Sequence, residues 1–351
     1  MKNNSKVINF GCRLNTYESQ IIKSHIKKND LENTYVFNTC AVTNEAEKQA
    51  KQAIRKIIRL YPKAKIVVTG CGAQTNPSVY ESIKGVDFVV DNSSKLKSQT
   101  WVNIKNNKKN DFKNIFNQNL INKHVIENFD GMSRAYVEIQ QGCDHRCTFC
   151  IIPFGRGNNR SVPFELIVKR VKKLVSKGYN EIVLTGVDIT DYGLDITGAP
   201  SLSTMIKNLL IRVPDLKQLR LSSVDCAEID ENFWELLKYE KRLMPHLHLS
   251  LQSGDNIILK RMKRRHNREQ AIEFCKKAKS LRPDIIFGAD LIVGFPTESD
   301  KMFENTIKLI EECDLTFLHV FQYSQKIGTP ASRMPQVNNF IKKKRSKILR
   351  E

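Results

Sequence analysis

Ala135-Tyr136-Val137-Glu138-Ile139-Gln140-Gln141-Gly142-Cys143-Asp144-His145-Arg146-Cys147-Thr148-Phe149-Cys150 joins a strand-like apolar run to three cysteines spaced C-x3-C-x2-C. Three thiolates at that spacing suit an iron–sulfur cluster one ligand short, because a cubane 4Fe–4S cluster takes four cysteines, one per iron. One iron is then open to a substrate or cofactor. Zinc is the competing reading, but zinc sites hold four ligands, usually as separated pairs or mixed Cys/His sets. The next cysteine lies far off at Cys226, and His145, between the ligands, closes a tetrahedron awkwardly.

Outward from this stretch, apolar runs alternate with helical ones almost to the end. Ala135–Ile139, Glu181–Leu184, Gln218–Leu221, Leu247–Leu251, Ile285–Ile292 and Thr316–Phe321 read as strands, with helices such as Pro163–Ser176 and Glu298–Cys313 between them. Six β/α units predict a partial (β/α)6 TIM-like barrel whose βα loops build a site at the carboxyl ends of the strands. The cysteine triple follows the first of these strands. Gly186, Ser223 and Gln252 follow later strands onto the same rim and are candidate cofactor contacts.

The first ninety residues show the same alternation. Val7–Phe10, Tyr35–Phe37, Ile66–Val68 and Phe88–Val90 read as strands, with helices over Asn15–Lys28 and Asn44–Tyr61, the second closed by Pro62. This predicts a parallel-sheet α/β domain. From Ser93 to about Asp130 the chain is dense in Asn and Lys without a clear apolar period, and reads as a linker or loosely ordered connection. The expected domains are 1–105, a linker over 106–130, and 131–351.

Cys12, Cys40 and Cys71 each stand a residue or two beyond a predicted strand, 28 and 31 residues apart. That separation matches one βαβ repeat. Parallel strands point the same way, so the three thiols fall on one carboxyl edge, where open α/β sheets bind ligands. The dipoles of the following helices favour thiolate there. A second metal or cluster site is expected. Cys275 and Cys313 read as core residues within helices, and Cys226 fits no pattern.

The 351 residues carry 57 Lys and Arg against 37 Asp and Glu, a net charge of +20, with 40% hydrophobic and 27% charged residues. Such a balance suits a polyanionic partner, nucleic acid first. A chain rich in Lys, Asn and Ile is also what an AT-rich genome would encode. No stretch approaches the roughly 18 apolar residues of a membrane span. Met1–Lys6 lacks the apolar core of a signal peptide, and nine cysteines suit metal ligation or buried thiols in a reducing, cytoplasmic compartment.

A three-cysteine α/β domain before a C-x3-C-x2-C barrel resembles the radical S-adenosylmethionine (SAM) methylthiotransferases, over nearly the whole chain. The resemblance rests on Gly11–Glu18, Asn38-Thr39-Cys40, Thr69-Gly70-Cys71, Gly142–Pro153 with Arg156-Gly157, Asp290–Pro296 and Gly328-Thr329-Pro330-Ala331. It implies two 4Fe–4S clusters. One, on Cys143, Cys147 and Cys150, cleaves SAM to a 5′-deoxyadenosyl radical. The auxiliary one, on Cys12, Cys40 and Cys71, carries the sulfur that is methylated and transferred. A sulfur donor and a one-electron reductant such as flavodoxin or ferredoxin are implied partners.

Cys40-Ala41-Val42-Thr43-Asn44-Glu45-Ala46 is similar to the branch acting on threonylcarbamoyladenosine in tRNA, with Asn15, Tyr17-Glu18, Leu247–Gln252 and His319-Val320-Phe321 leaning the same way. The implied product is the 2-methylthio derivative of N6-threonylcarbamoyladenosine at position 37, in the tRNA anticodon stem-loop. Isopentenyladenosine-37 and an aspartate of ribosomal protein S12, the substrates of the sister branches, are alternatives, as is a non-catalytic two-cluster electron carrier. Such enzymes commonly end in a small β-barrel RNA-binding domain, TRAM; the sequence stops at Glu351, so either that domain is absent, as expected here, or the sequence is a fragment. The basic runs Lys260–Arg265 and Lys342–Lys347 are candidate phosphate contacts in its place, or solvated helix faces.

Overall fold

In the computed structural model, residues 5–118, 121, 123–126, 128, 129 and 131–351 are described. Met1–Asn4, part of the start read as leaderless, lie outside them. So do positions 119, 120, 122, 127 and 130 of the expected linker. The chain divides into two compact units. One comprises 1–131, 141–144 and 151–160; the other comprises 132–140, 145–150 and 161–351.

The first unit is built on four parallel strands in sequential order, β1 (Lys6–Asn9), β2 (Thr34–Thr39), β3 (Lys65–Gly70) and β4 (Phe88–Val89). Every residue of β2 is buried, as an inner strand covered on both faces requires. Tyr35, Phe37, Ile66 and Val68 pack with Ile54, Ala73 and Tyr80 in one core cluster. Helix α1 (Arg13–Lys28) begins two residues earlier than its apolar pattern suggests, and α2 (Asn44–Leu60) starts at an N-cap, the Thr43 side chain accepting from the Ala46 N–H.

The stretch from Ser93 differs from its reading as a loose connection. Ser98–Lys105 forms a helix whose Trp101 and Ile104 are fully buried. Trp101 donates its indole N–H to the Lys95 carbonyl and its ring stacks with His25. Two apolar side chains three apart are too few to display a period, yet a buried tryptophan anchors a short helix by about 3–5 kcal/mol relative to alanine.

The second unit holds six parallel strands in sequential order, a partial TIM-like barrel. The first (Arg134–Glu138) pairs with the second (Glu181–Thr185), and the second with the third (Gln218–Leu221). The third continues past Ser222 as Ser223–Val224, which pairs with the fourth (His246–Gln252). The fourth pairs with the fifth (Ile286–Val293), and the fifth with the sixth (Leu315–Gln322). Helices alternate with them, including Phe164–Ser176, which starts after Pro163, and Asp300–Glu312, capped by Ser299. Among the described residues no helix is long and apolar enough to cross a membrane.

Candidate active site

In the first unit all three cysteines stand at the carboxyl edge of the sheet. Cys12 is the N-cap of α1, Cys40 follows β2, and Cys71 opens the short helix Cys71–Thr75 directly after β3. Among the described residues the cysteines form no disulfide. The dipole argument holds less well at Cys40, because α2 begins only at Asn44 and a helix end acts over about one turn. There the donor is local: the Val42 N–H points at Cys40 Sγ, 3.4 Å away. Gly11 has φ +114, and a Cβ on it would come within 3.1 Å of Cys40 Sγ, so the absence of a side chain leaves room beside that thiol.

Burial pushes the Cys40 thiol up to about 12, and the neighbouring Cys71 and Cys12 add to the shift. Thiols that oppose one another's ionisation are stabilised as thiolates by a cation or metal in their midst. Cys71 has such a cation beside it: Arg156 Nε lies 3.1 Å from its Sγ, with Asn92 Nδ2 at 3.6 Å. Burial opposes the charge of Arg156, but Cys71, Glu18 and Cys12 outweigh it and hold the guanidinium well above its ordinary range. Soft sulfur donors, N–H groups aimed at two of them and a buried cation fit an iron–sulfur group.

Cys143 belongs to the first unit, Cys147 and Cys150 to the second. The Cys143 N–H donates to the Gly157 carbonyl at 3.0 Å, and Asp144 accepts from the Asn159 N–H. Gly142 has φ +73, and a Cβ on it would collide with the Asn158 carbonyl, so a side chain before Cys143 would force this loop to shift. In the second unit Cys150 N–H donates to the Cys147 carbonyl, closing a tight turn, and Thr148 is pinned between the Met262 and Arg261 carbonyls.

The basic run Lys260–Arg265 is only partly the outward phosphate-binding surface expected of it. Arg264 is turned inward, its Nη1 lying 3.7 Å from Cys147 Sγ and its Nη2 donating to Asp225 and to the Ser250 carbonyl. Arg265 pairs with Asp225 and Glu228 and contacts His145, which also meets Asp191 at 2.9 Å. Burial works against the Asp225 charge, but His266 and the two guanidiniums hold this carboxyl far below its ordinary range. Burial lifts Asp188 above the ordinary range, and Asp191 adds to it. The second run is likewise divided. Lys342 and Arg345 are buried, Arg345 on Glu298 and Asp300, while Lys343, Lys344 and Lys347 face solvent.

Gly186, Ser223 and Gln252 stand at the carboxyl ends of the second, third and fourth barrel strands. Gly186 lies against Gln140, whose Oε1 accepts from the Val187 and Asp188 N–H groups. Gln252 sits at an irregularity in the fourth strand with φ +69. The side chains that crowd this rim are instead Asp188, Asp225, Glu228, Arg264 and Arg265. Asp188, Asp225 and Glu228 could have been marked by their positions just after strands, whereas Arg264 and Arg265 follow the helix Asn256–Met262 and read only as part of a basic run.

Residues 137–310 match the Radical SAM superfamily, and residues 4–91 match a family described as uncharacterized protein family UPF0004. The chain is 53% identical over its full length to threonylcarbamoyladenosine tRNA methylthiotransferase MtaB of Rickettsia prowazekii (strain Madrid E), spanning 83% of that protein. The chain belongs to the MtaB family of radical SAM methylthiotransferases. The MtaB of Bacillus subtilis (strain 168) is 37% identical over 95% of the chain and 77% of its own length. Among solved structures, the radical SAM methyltransferase TsrM of Kitasatospora setae, with cobalamin and a 4Fe–4S cluster bound, superposes with a TM-score of 0.70. That match covers 95% of this chain and 74% of that one; at 12% identity the likeness is one of fold. This methylthiotransferase is thus a radical SAM enzyme, dependent on SAM and iron–sulfur chemistry.

Proposed function

We propose that this methylthiotransferase modifies tRNA, placing a methylthio group on C2 of N6-threonylcarbamoyladenosine-37. The observation that carries the reading is the 53% identity, end to end, with a protein named for that substrate. The net charge of +20 supports a polyanionic substrate, and Lys260, Lys263, Lys343, Lys344 and Lys347 are exposed cations available to phosphates.

In this reading residues 1–105 form the auxiliary-cluster domain, 106–130 a linker and 131–351 the radical SAM domain. Cys143, Cys147 and Cys150 would hold one 4Fe–4S cluster and Cys12, Cys40 and Cys71 the other. When bound, the first supplies with SAM the radical that removes hydrogen from C2, and the second supplies sulfur. Gly186, Ser223 and Gln252 are proposed SAM contacts. Arg264 at Cys147 and Arg156 at Cys71 would offset the negative charge of bound clusters. A one-electron reductant, a sulfur donor and a cytoplasmic site of action complete the proposal.

The test is nucleoside analysis of tRNA from cells lacking the gene, with and without its return on a plasmid. The expected result is loss and recovery of 2-methylthio-N6-threonylcarbamoyladenosine, with unmethylthiolated threonylcarbamoyladenosine accumulating between. An unchanged nucleoside profile beside altered ribosomal protein S12 would overturn it.

A further inference from the structure

Arg156 is 2% exposed and uses every N–H it has. Nη1 donates to Glu18 Oε1 at 2.5 Å and to Gln141 Oε1 at 3.3 Å. Nη2 donates to Glu18 Oε2 at 3.0 Å and to Asn15 Oδ1, and Nε donates to Cys71 Sγ at 3.1 Å. All these partners lie in the first unit. The guanidinium is therefore fixed in position and rotation, with one edge on the sulfur and the other on a carboxylate.

Burying a guanidinium costs desolvation that close pairing and fully satisfied hydrogen bonds must offset. Glu18 is already engaged, since Lys95, fully buried, donates to its Oε2 at 2.6 Å. Two buried cations share one carboxylate, and the remaining positive charge is aimed at Cys71. Asn15 and Glu18 lie on the first turns of α1, the helix that Cys12 caps, so one helix carries both a thiol and the clamp on Arg156. Negative charge at the sulfurs of this edge, whether on the cysteines or on an anionic group they hold, balances the count, and the Arg156 Nε at 3.1 Å from Cys71 Sγ is aimed at it.

We propose that Arg156 is the positioning residue that sets the charge of the Cys12, Cys40 and Cys71 site, clamped by Glu18 and Asn15 so that its Nε faces the sulfur of a bound anionic iron–sulfur group. This rests on the reading of those cysteines as cluster ligands. A fixed cation at a ligand sulfur favours the more negative, reduced form and raises the reduction potential. Glu18 acts with the opposite sign.

The experiment uses the full chain with Cys143, Cys147 and Cys150 changed to Ala, reconstituted anaerobically with iron and sulfide. Iron content and an EPR-monitored redox titration are read for this parent and for its Arg156→Gln, Arg156→Lys and Glu18→Gln derivatives, with folding followed by circular dichroism. Arg156→Gln is expected to move the midpoint negative, by about 59 mV for each tenfold loss in preference for the reduced form. Arg156→Lys should stay near the parent, and Glu18→Gln should move positive. If Arg156→Gln does not take up a cluster, retention by Arg156→Lys upholds the proposal, and equal loss by both folded variants overturns it. An unmoved midpoint in Arg156→Gln, or shifts of one sign in Arg156→Gln and Glu18→Gln, also overturns it. A parent that takes up no iron would instead refute the ligand assignment of the three cysteines.

Discussion

Lys95 and Glu18, 77 residues apart in sequence, form an ion pair of 2.6 Å in which neither side chain is more than 1% exposed. Removing one partner of a buried pair leaves the other charge uncompensated, at about 3–5 kcal/mol. Lys95→Ala should lose the lower end of that range, because Arg156 still neutralises Glu18. Glu18→Ala should lose more, because it strands two cations. Urea unfolding of the cluster-free protein measures both, and the reverse order would contradict the charge count.

Asp290 joins the fourth and sixth barrel strands, accepting from His248 Nε2 at 2.9 Å and meeting His319 Nδ1 at 3.2 Å. Burial would raise its pKa, but the two histidines win and hold it at about 2. A carboxyl depressed in the folded state stabilises the fold above its unfolded pKa, about 3.9, and loses that contribution as pH falls through about 2. The predicted contribution is about 2–3 kcal/mol, present at pH 5 and gone below pH 2. Asp290→Asn should flatten the acid limb of a stability–pH curve between pH 4 and 2. An unchanged limb would count against the pair.

Gly142→Ala should disturb the loop that carries Cys143, since its φ is positive and a Cβ would strike the Asn158 carbonyl. Strain of this kind is about 1–3 kcal/mol. Reconstituted Gly142→Ala should retain less iron than the parent, while Gly198→Ala, with positive φ but nothing within 4 Å, serves as the strain-only control. Equal iron retention in the two variants would show that the close approach is unimportant.

The fold was largely readable because its strands are short apolar runs at regular intervals, and because both cysteine sets follow strand ends. The polar partners were not. Arg156 and Glu18 are 138 residues apart, and no periodicity announces that they meet. Arg264 and Arg265 look in sequence like part of an ordinary basic run. Arg264 turns inward onto Asp225 and the Ser250 carbonyl, and Arg265 onto Asp225, partners that the barrel brings to them from its strands. Trp101 was hidden in an Asn- and Lys-rich context because its ring packs on His25, which is distant in sequence.

The division of labour between the two cysteine sets is tested most directly by measuring 5′-deoxyadenosine and 2-methylthio nucleoside together, in anaerobic reactions of reconstituted enzyme, SAM, dithionite and tRNA. Cys143→Ala, Cys147→Ala and Cys150→Ala should each abolish both products. Cys12→Ala, Cys40→Ala and Cys71→Ala should release 5′-deoxyadenosine at near the parent level and form no methylthio nucleoside. Loss of 5′-deoxyadenosine in both groups alike would contradict separate roles for the two sets.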